Sequence, residues 1–332
     1  MATMTFDDIV VNKRFLEVSF LQTIALNRFI MAGIAKVDPE LEKVIASFSS
    51  SGNFVQGDLI NIPLLKDVDD EDQILTDSAP LVMRKTTMDQ DVASIKRSGH
   101  AFERSDLAVS MNTVDPILAL ANALAEYWNR RYQDQTFAML NGVFASNVAN
   151  NSSDLVLDIS GLTGDDGILT GNAMLIAAQL LGDVKENLVA VAMHSEVETF
   201  LNIIGAISPL EAPANNPMVV TKWNQRTVVM DDSCAYNPTT KVAEIILFKA
   251  GALALNNIPV KDAYELDRDS KAGKDWFISR RGRVIHCRGV KYTKASQAKE
   301  HATNAEYATA ANWSRIVEKK RIGVVKLKVR LG

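Results

Sequence analysis

Side chains capable of chemistry are sparse in this sequence of 332 residues, and none sits at a spacing that would let it cooperate with another. The four histidines, His100, His194, His286 and His301, form neither an HExxH nor an HxxxH pair, and Cys234 and Cys287 form no CxxC. A zinc site needs such spacings because one turn or one helix face must gather its ligands, so no metal site is expected. His286 and Cys287 are neighbours, but adjacent residues of a strand point to opposite faces and cannot act on one another. The pair reads as a strand carrying one buried thiol. His194 and Ser195 lie outside any GxSxG elbow, and Ser195 with Glu198 has the spacing of a helix-capping box. Gly161, Gly164, Gly167 and Gly171, with Asp165 and Asp166 among them, match neither a phosphate-cradling loop nor a calcium loop and read as a turn. No catalytic, cofactor-binding or metal-ligating residue is assigned, and no cofactor is expected.

Charge is more informative than reactivity. The net charge is −4, so no global basic excess exists to hold a nucleic acid by phosphate neutralisation. Two cysteines cannot make a disulfide scaffold, and thiols in a reducing compartment are the default. Local charge is uneven. Asp67, Asp69, Asp70, Glu71 and Asp72 form an acidic run that could be a solvated face, a cation site or one half of an ion pair across an interface. Residues 315–332 hold seven basic side chains against Glu318 alone. Within that segment Lys326, Lys328 and Arg330 alternate as the exposed or salt-bridged face of a strand would, which favours an interface over a nucleic-acid surface.

Behind these residues stands a mixed set of elements. Val10 to Ala35 is apolar with helical stretches, and Glu17, Asn27 and Arg28 interrupt it, so Phe15 to Ala35 is neither a signal region nor a membrane span. Pro39, Ser47, Ser49, Ser50, Ser51 and Gly52 punctuate the rest of the first fifty residues. An apolar terminus of this kind must dock on its own domain or on a neighbour. Strand patterns over Phe54 to Leu65 and Met83 to Ile95, the second broken at Gly99, flank the acidic run and describe a long β-hairpin projecting from a body. Asp115-Pro116 opens a helix over Pro116 to Leu140, stopped by Asn141-Gly142. The middle alternates: a helix over Ala173 to Leu181, a buried strand over Leu188 to Met193, a helix from Ser195 to near Gly205, and strands over Arg226 to Met230 and Val242 to Phe248. The last eighty residues return to strands over Val260 to Leu266, Asp275 to Ser279, Arg283 to Cys287 and Val290 to Thr293, with a turn at Arg281-Gly282 and a bulge at Gly289. A polar connector from Lys294 to Ala311 leads to a closing strand, Ile322 to Leu331.

Local sequence then adds a resemblance. Ser51-Gly-Asn-Phe-Val with Leu59-Ile-Asn-Ile-Pro63, and Ala93-Ser-Ile-Lys-Arg-Ser-Gly-His-Ala-Phe-Glu-Arg-Ser-Asp106, are similar to the entry and return of an extended loop. Asp267-Arg-Asp-Ser-Lys-Ala-Gly-Lys-Asp-Trp-Phe-Ile-Ser-Arg-Arg281 and Val284-Ile-His-Cys-Arg-Gly-Val290 resemble peripheral strands. Thr303-Asn-Ala-Glu, Ala311-Asn-Trp-Ser-Arg and Lys319-Lys-Arg-Ile-Gly-Val324 resemble a C-terminal segment. In this order, from Phe6 to the end, they resemble the major capsid proteins of tailed bacteriophages, whose Hong Kong 97-type shell fold is shared with encapsulins. The resemblance implies an α+β chain with an N-terminal arm (1–52), an extended β-hairpin loop (53–107), a long spine helix (108–146) that with an antiparallel sheet makes a peripheral domain, an α/β axial domain (147–257), and peripheral-domain strands with the C-terminal segment (258–332).

The function so implied is a shell subunit without chemistry. It assembles with itself through pentamers and hexamers into an icosahedral container for double-stranded DNA. Its further partners would be a portal, decoration proteins and a scaffold that, with the match starting near Met1, would be a separate protein or none. Assembly would take place in the host bacterial cytoplasm and end in the virion, with no membrane partner. Opposed charges could set register between subunits, so the expected interface residues are Asp67, Asp69, Asp70, Glu71, Asp72, Arg84 and Lys85 in the loop and Arg280, Arg281 and Arg283 in the peripheral strands. The competing readings are an encapsulin-like compartment, an α/β enzyme with a site in residues 147–257, and a nucleic-acid binder working through the basic C-terminus.

Overall fold

Strand-forming segments from both ends of the chain are drawn into shared sheets, and that exchange sets the architecture. The computed structural model describes residues 28–50, 58–65, 72–73, 83, 88–105, 116–206, 208–209 and 221–332. The apolar pattern ahead of residue 28, Asp67, Asp69, Asp70, Glu71, Arg84 and Lys85 lie outside the described residues.

Helix α1 (Pro39–Ser50) starts at the proline expected to interrupt the chain. Asp38 precedes it, and its Oδ1 accepts the Glu40 N–H at 3.0 Å, which leaves Pro39 in the first helical position, where a missing N–H costs nothing. Leu41 and Ile45 then pack with Ile60, Ala93, Ile95, Ala254, Ile258 and Val284, so this part of the arm docks on its own subunit.

Strand β1 (Leu59–Leu65) pairs antiparallel with β2 (Met88–Ser105), from Leu59 opposite Ser94 to Leu65 opposite Met88. The expected hairpin is therefore present, but β2 runs unbroken through Gly99. Helix α2 (Pro116–Asn150) is likewise longer than its expected span, at 35 residues or roughly 52 Å. It passes straight through Asn141-Gly142 because Gly142 answers a packing need. A Cβ there would lie 2.0 Å from the Tyr307 carbonyl oxygen and 2.4 Å from Trp313 Nε1. The helix ends where Asn147 turns its side chain to the following loop, its Oδ1 accepting the Leu155 N–H and its Nδ2 donating to Asp154.

The middle of the chain carries α3 (Gly171–Gln179), β3 (Leu188–Met193), α4 (Ser195–Ile203), β4 (Arg226–Met230) and β5 (Val242–Lys249). The cap of α4 is His194, whose Nδ1 accepts the Glu196 N–H at 3.1 Å; the expected Ser195 is already helical. Strands β6 (Leu253–Ile258), β7 (Tyr264–Asp269) and β8 (Lys274–Cys287) come next. Strand β8 is one continuous element, so no turn falls at Arg281-Gly282; residues 270–273 reverse the chain between β7 and β8 instead. Gly282 again marks a close approach, since a Cβ would meet Val260 Cγ2 at 2.9 Å and the Ile258 carbonyl at 3.0 Å.

Two large sheets result. One is six-stranded, ordered Ala35–Lys36, β6, β8, β2, β1, with β7 also on β8. The other is eight-stranded and contains β9 (Val324–Arg330), β5, β3 and β4 in that order, with β3 and β4 parallel. The C-terminal strand therefore completes the eight-stranded sheet through β5, whereas β6 joins the six-stranded sheet. Alternation explains the first exchange: Val325, Leu327 and Val329 are buried, with Lys326, Lys328 and Arg330 between them. Among the described residues no helix is long and apolar enough to cross a membrane.

Candidate assembly interface

The basic C-terminus is absorbed within the subunit. Arg315 Nη1 donates to both carboxylate oxygens of Asp154, at 2.9 and 2.8 Å. Lys320 pairs with Asp183, Lys326 with Glu244 and Lys328 with Asp158, while Arg330 donates to the Gly164 carbonyl. The alternating strand is the salt-bridged face its pattern implied.

At the root of the hairpin, β2 follows β8 as far as Ile95 opposite Val284 and then leaves it to continue with β1. Just past that fork, Asp91 of β2 meets His286 of β8, both buried, with Oδ1 2.9 Å from Nε2. The Gly289 N–H donates to the other carboxylate oxygen at 3.0 Å, from the turn that follows β8. Burial alone would raise the Asp91 pKa, but the His286 imidazole and the Gly289 and Val92 amides outweigh it and hold the carboxyl below its ordinary value. Two further contacts fasten the same root: the Tyr307 hydroxyl donates to Ser94 Oγ at 3.0 Å, and Lys294 pairs with Asp58. Cys287 is buried beside this site, and burial pushes its thiol up to about 12, so it is the inert strand thiol expected.

A few residues along β2 the balance reverses. A cleft of about 360 Å³ opens between β2, α2 and residues 301–304, and Lys96, Arg97, Arg131, Arg283 and His301 line it. The Arg283 side chain lies beneath this cleft, 2% exposed, its guanidinium 4.2 Å from the Tyr132 ring centroid. Its Nε donates to Gln135 and its Nη2 to the Arg131 carbonyl.

The expected interface residues separate accordingly. Asp72 is exposed, and the rest of the acidic run, with Arg84 and Lys85, lies outside the described residues. Arg280 is engaged in its own subunit, donating to Glu265 at 2.7 Å and to the Asp262 carbonyl. Arg281 stacks over Tyr264, 4.7 Å from the ring centroid. Arg283 lies inside the subunit, because its place on β8 turns it onto α2 and buries it. Sequence reasoning missed Asp91, Lys96, Arg97 and Arg131. The adjacent Lys96-Arg97 and Arg130-Arg131 pairs were the available signal for the last three. Among the described residues no group of three or more histidine, cysteine, aspartate or glutamate side chains could hold a metal ion.

No family model matches the sequence. The chain is 33% identical over 334 residues to the major capsid protein of Bacillus phage SPP1, across 100% of this chain and 99% of that protein. Among solved structures it is similar to the capsid of Ralstonia phage GP4, with a TM-score of 0.51 at 9% identity, covering 90% of this chain and 87% of that one. It is equally similar to an encapsulin of Synechococcus elongatus PCC 7942, with a TM-score of 0.51 at 8% identity, covering 88% of this chain and 90% of that one.

Proposed function

The chain belongs to the major capsid proteins of tailed bacteriophages, with their Hong Kong 97-type fold, and we propose that it forms their shell as pentamers and hexamers around double-stranded DNA. Its role is structural: it self-assembles into the capsid of a phage virion. The single observation that carries the reading is the end-to-end match to a phage major capsid protein. An encapsulin shares the fold at 8% identity, and the much closer full-length relative is what favours a genome container over a compartment.

In this reading residues 53–107 lie over an adjacent subunit, residues 147–257 meet their equivalents around the five-fold and six-fold axes, and the acidic run faces basic residues of the neighbour. Shells of this kind gain stability from many copies, each making extensive interfaces of roughly 2,000 Å² or more, so that individually modest contacts hold together. The packaged DNA needs only sequence-blind proximity, so no base-reading motif is required. In this reading the further partners are a portal and, as candidates, scaffold and decoration proteins, and assembly takes place in the host bacterial cytoplasm.

Sedimentation and negative-stain microscopy of the purified full-length chain test this reading. Closed particles or ring-shaped capsomers are the expected result. A compact, protease-resistant monomer at high concentration contradicts it.

A further inference from the structure

Two cations face each other where β2 meets β8. Lys96 stands directly across from Arg283 in the antiparallel register, with Ser98 two residues on along the same face of β2. Like charges in that position destabilise a sheet, the more so where burial removes the water between them. The nearby carboxylates are spent on other groups. Asp134 pairs with Arg131 at 3.2 Å, and Glu306 accepts the Ala298 and Thr303 amides, each at 2.7 Å. Arg97 is engaged within the chain as well. Lys96 itself donates to the uncharged side chain of Asn304. Burial, then the Arg283 and Arg131 charges, bring its ammonium down to about 8, with Asp134 and Glu306 pulling the other way. Around this pair three buried polar atoms have no hydrogen-bond partner within the chain: Arg283 Nη1, Ser98 Oγ and His301 Nδ1. All three residues line the cleft between β2, α2 and residues 301–304. Arg283, 2% exposed, is fixed there by Gln135 and the Arg131 carbonyl, which take its other nitrogens. Buried polar groups left unmet in this way cost free energy until a ligand or water meets them.

We propose that this cleft is a binding site for a phosphate group, held by Arg283 Nη1, Ser98 Oγ, His301 Nδ1 and the Lys96 ammonium. Phosphate oxygens accept from a guanidinium, a hydroxyl and an ammonium, and a protonated phosphate also serves the imidazole nitrogen in its accepting form. Four such groups outnumber the two oxygens of a carboxylate and match the four of a phosphate. The negative charge lies between the two facing cations and relieves their repulsion. At about 360 Å³ the cleft admits a phosphate together with several waters, each of about 30 Å³. The site goes beyond the shell reading and does not depend on it.

The test is equilibrium dialysis of the unaltered full-length chain against radiolabelled inorganic phosphate in a chloride buffer. Saturable retention of a single phosphate per subunit is the expected result. Lys96→Met with Ser98→Ala should weaken that retention about tenfold or more, the size of one lost hydrogen bond to a charged group. Lys271→Met, at an exposed lysine in the reversal between β7 and β8, should leave it unchanged. No retention by the unaltered chain would give the three unmet groups to water and overturn the proposal. Retention that the double variant leaves intact would place the phosphate elsewhere and overturn it too. A second arm adds an excess of oligothymidylate lacking terminal phosphates. Displacement of the label assigns the site to nucleic-acid backbone phosphates, and undisturbed retention assigns it to free phosphate or a phosphate monoester; either result upholds the site and names its source.

Discussion

Asp91 and Lys96 lie five residues apart on one strand, and their surroundings settle charge in opposite ways. Asp91 is buried against His286 and the Gly289 amide, so its charge is answered inside the subunit, and the groups that answer it come from a strand and turn nearly two hundred residues away. Lys96 shares its cleft with three arginines, one pairing with Asp134, and the charges of Arg283 and Arg131 weigh against its own. The first arrangement fixes the hairpin root to the body. The second crowds like charges on the same strand. The two arrangements are neighbours on β2.

The most damaging way to break this contrast is to remove the closed pair. Asp91→Ala leaves His286 buried without its carboxylate and should cost about 3–5 kcal/mol in urea unfolding of the disassembled subunit. Adding His286→Ala should recover part of the loss in a double-mutant cycle, and purely additive losses would show that the two do not act as a pair. Gly142→Ala, which pushes a methyl group into the Tyr307 carbonyl and the Trp313 indole, should cost about 1–3 kcal/mol through packing alone, without salt dependence. Acid should act on the root. Asp91 has a folded-state pKa below its unfolded value of 3.8, so its contribution is present above that value and lost as pH falls through the lower one. Unfolding midpoints should therefore drop below about pH 4, less steeply in Asp91→Ala, and parallel acid limbs would place the titration elsewhere.

The gentlest variant sharpens the contrast from the other side. Lys96 has a folded-state pKa lowered from 10.5 to about 8, so its protonated form is disfavoured in the fold and stability rises as pH climbs between those values. Lys96→Met should flatten that rise and leave the isolated subunit at least as stable at neutral pH, measured by thermal unfolding. A clear destabilisation would mean that the lysine is a structural member of the fold, as Asp91 is.

Much of this architecture is legible in the sequence because periodicity is local. The spine helix and the Leu188–Met193 strand carry their spacing in their own residues. Glycine misleads where it serves contact: Gly142 and Gly282 have the look of breaks, but each makes room for another segment, and only the fold shows which. Strand partnership is equally hidden. Nothing local says that Val324–Arg330 pairs with Val242–Lys249, although its alternating lysines do announce a salt-bridged face. The site is less legible than the fold. His286 gives no sign of Asp91, because the pairing depends on where β2 leaves β8, and the cleft draws on four separated segments that no spacing motif connects.

The most direct measurement is a high-resolution cryo-EM reconstruction of the particles this chain forms. The account predicts a closed shell in which each Asp91–His286 pair lies within one subunit and residues 53–107 lie over an adjacent subunit. Particles that never close, or a shell in which residues 53–107 lie only on their own subunit, would contradict it.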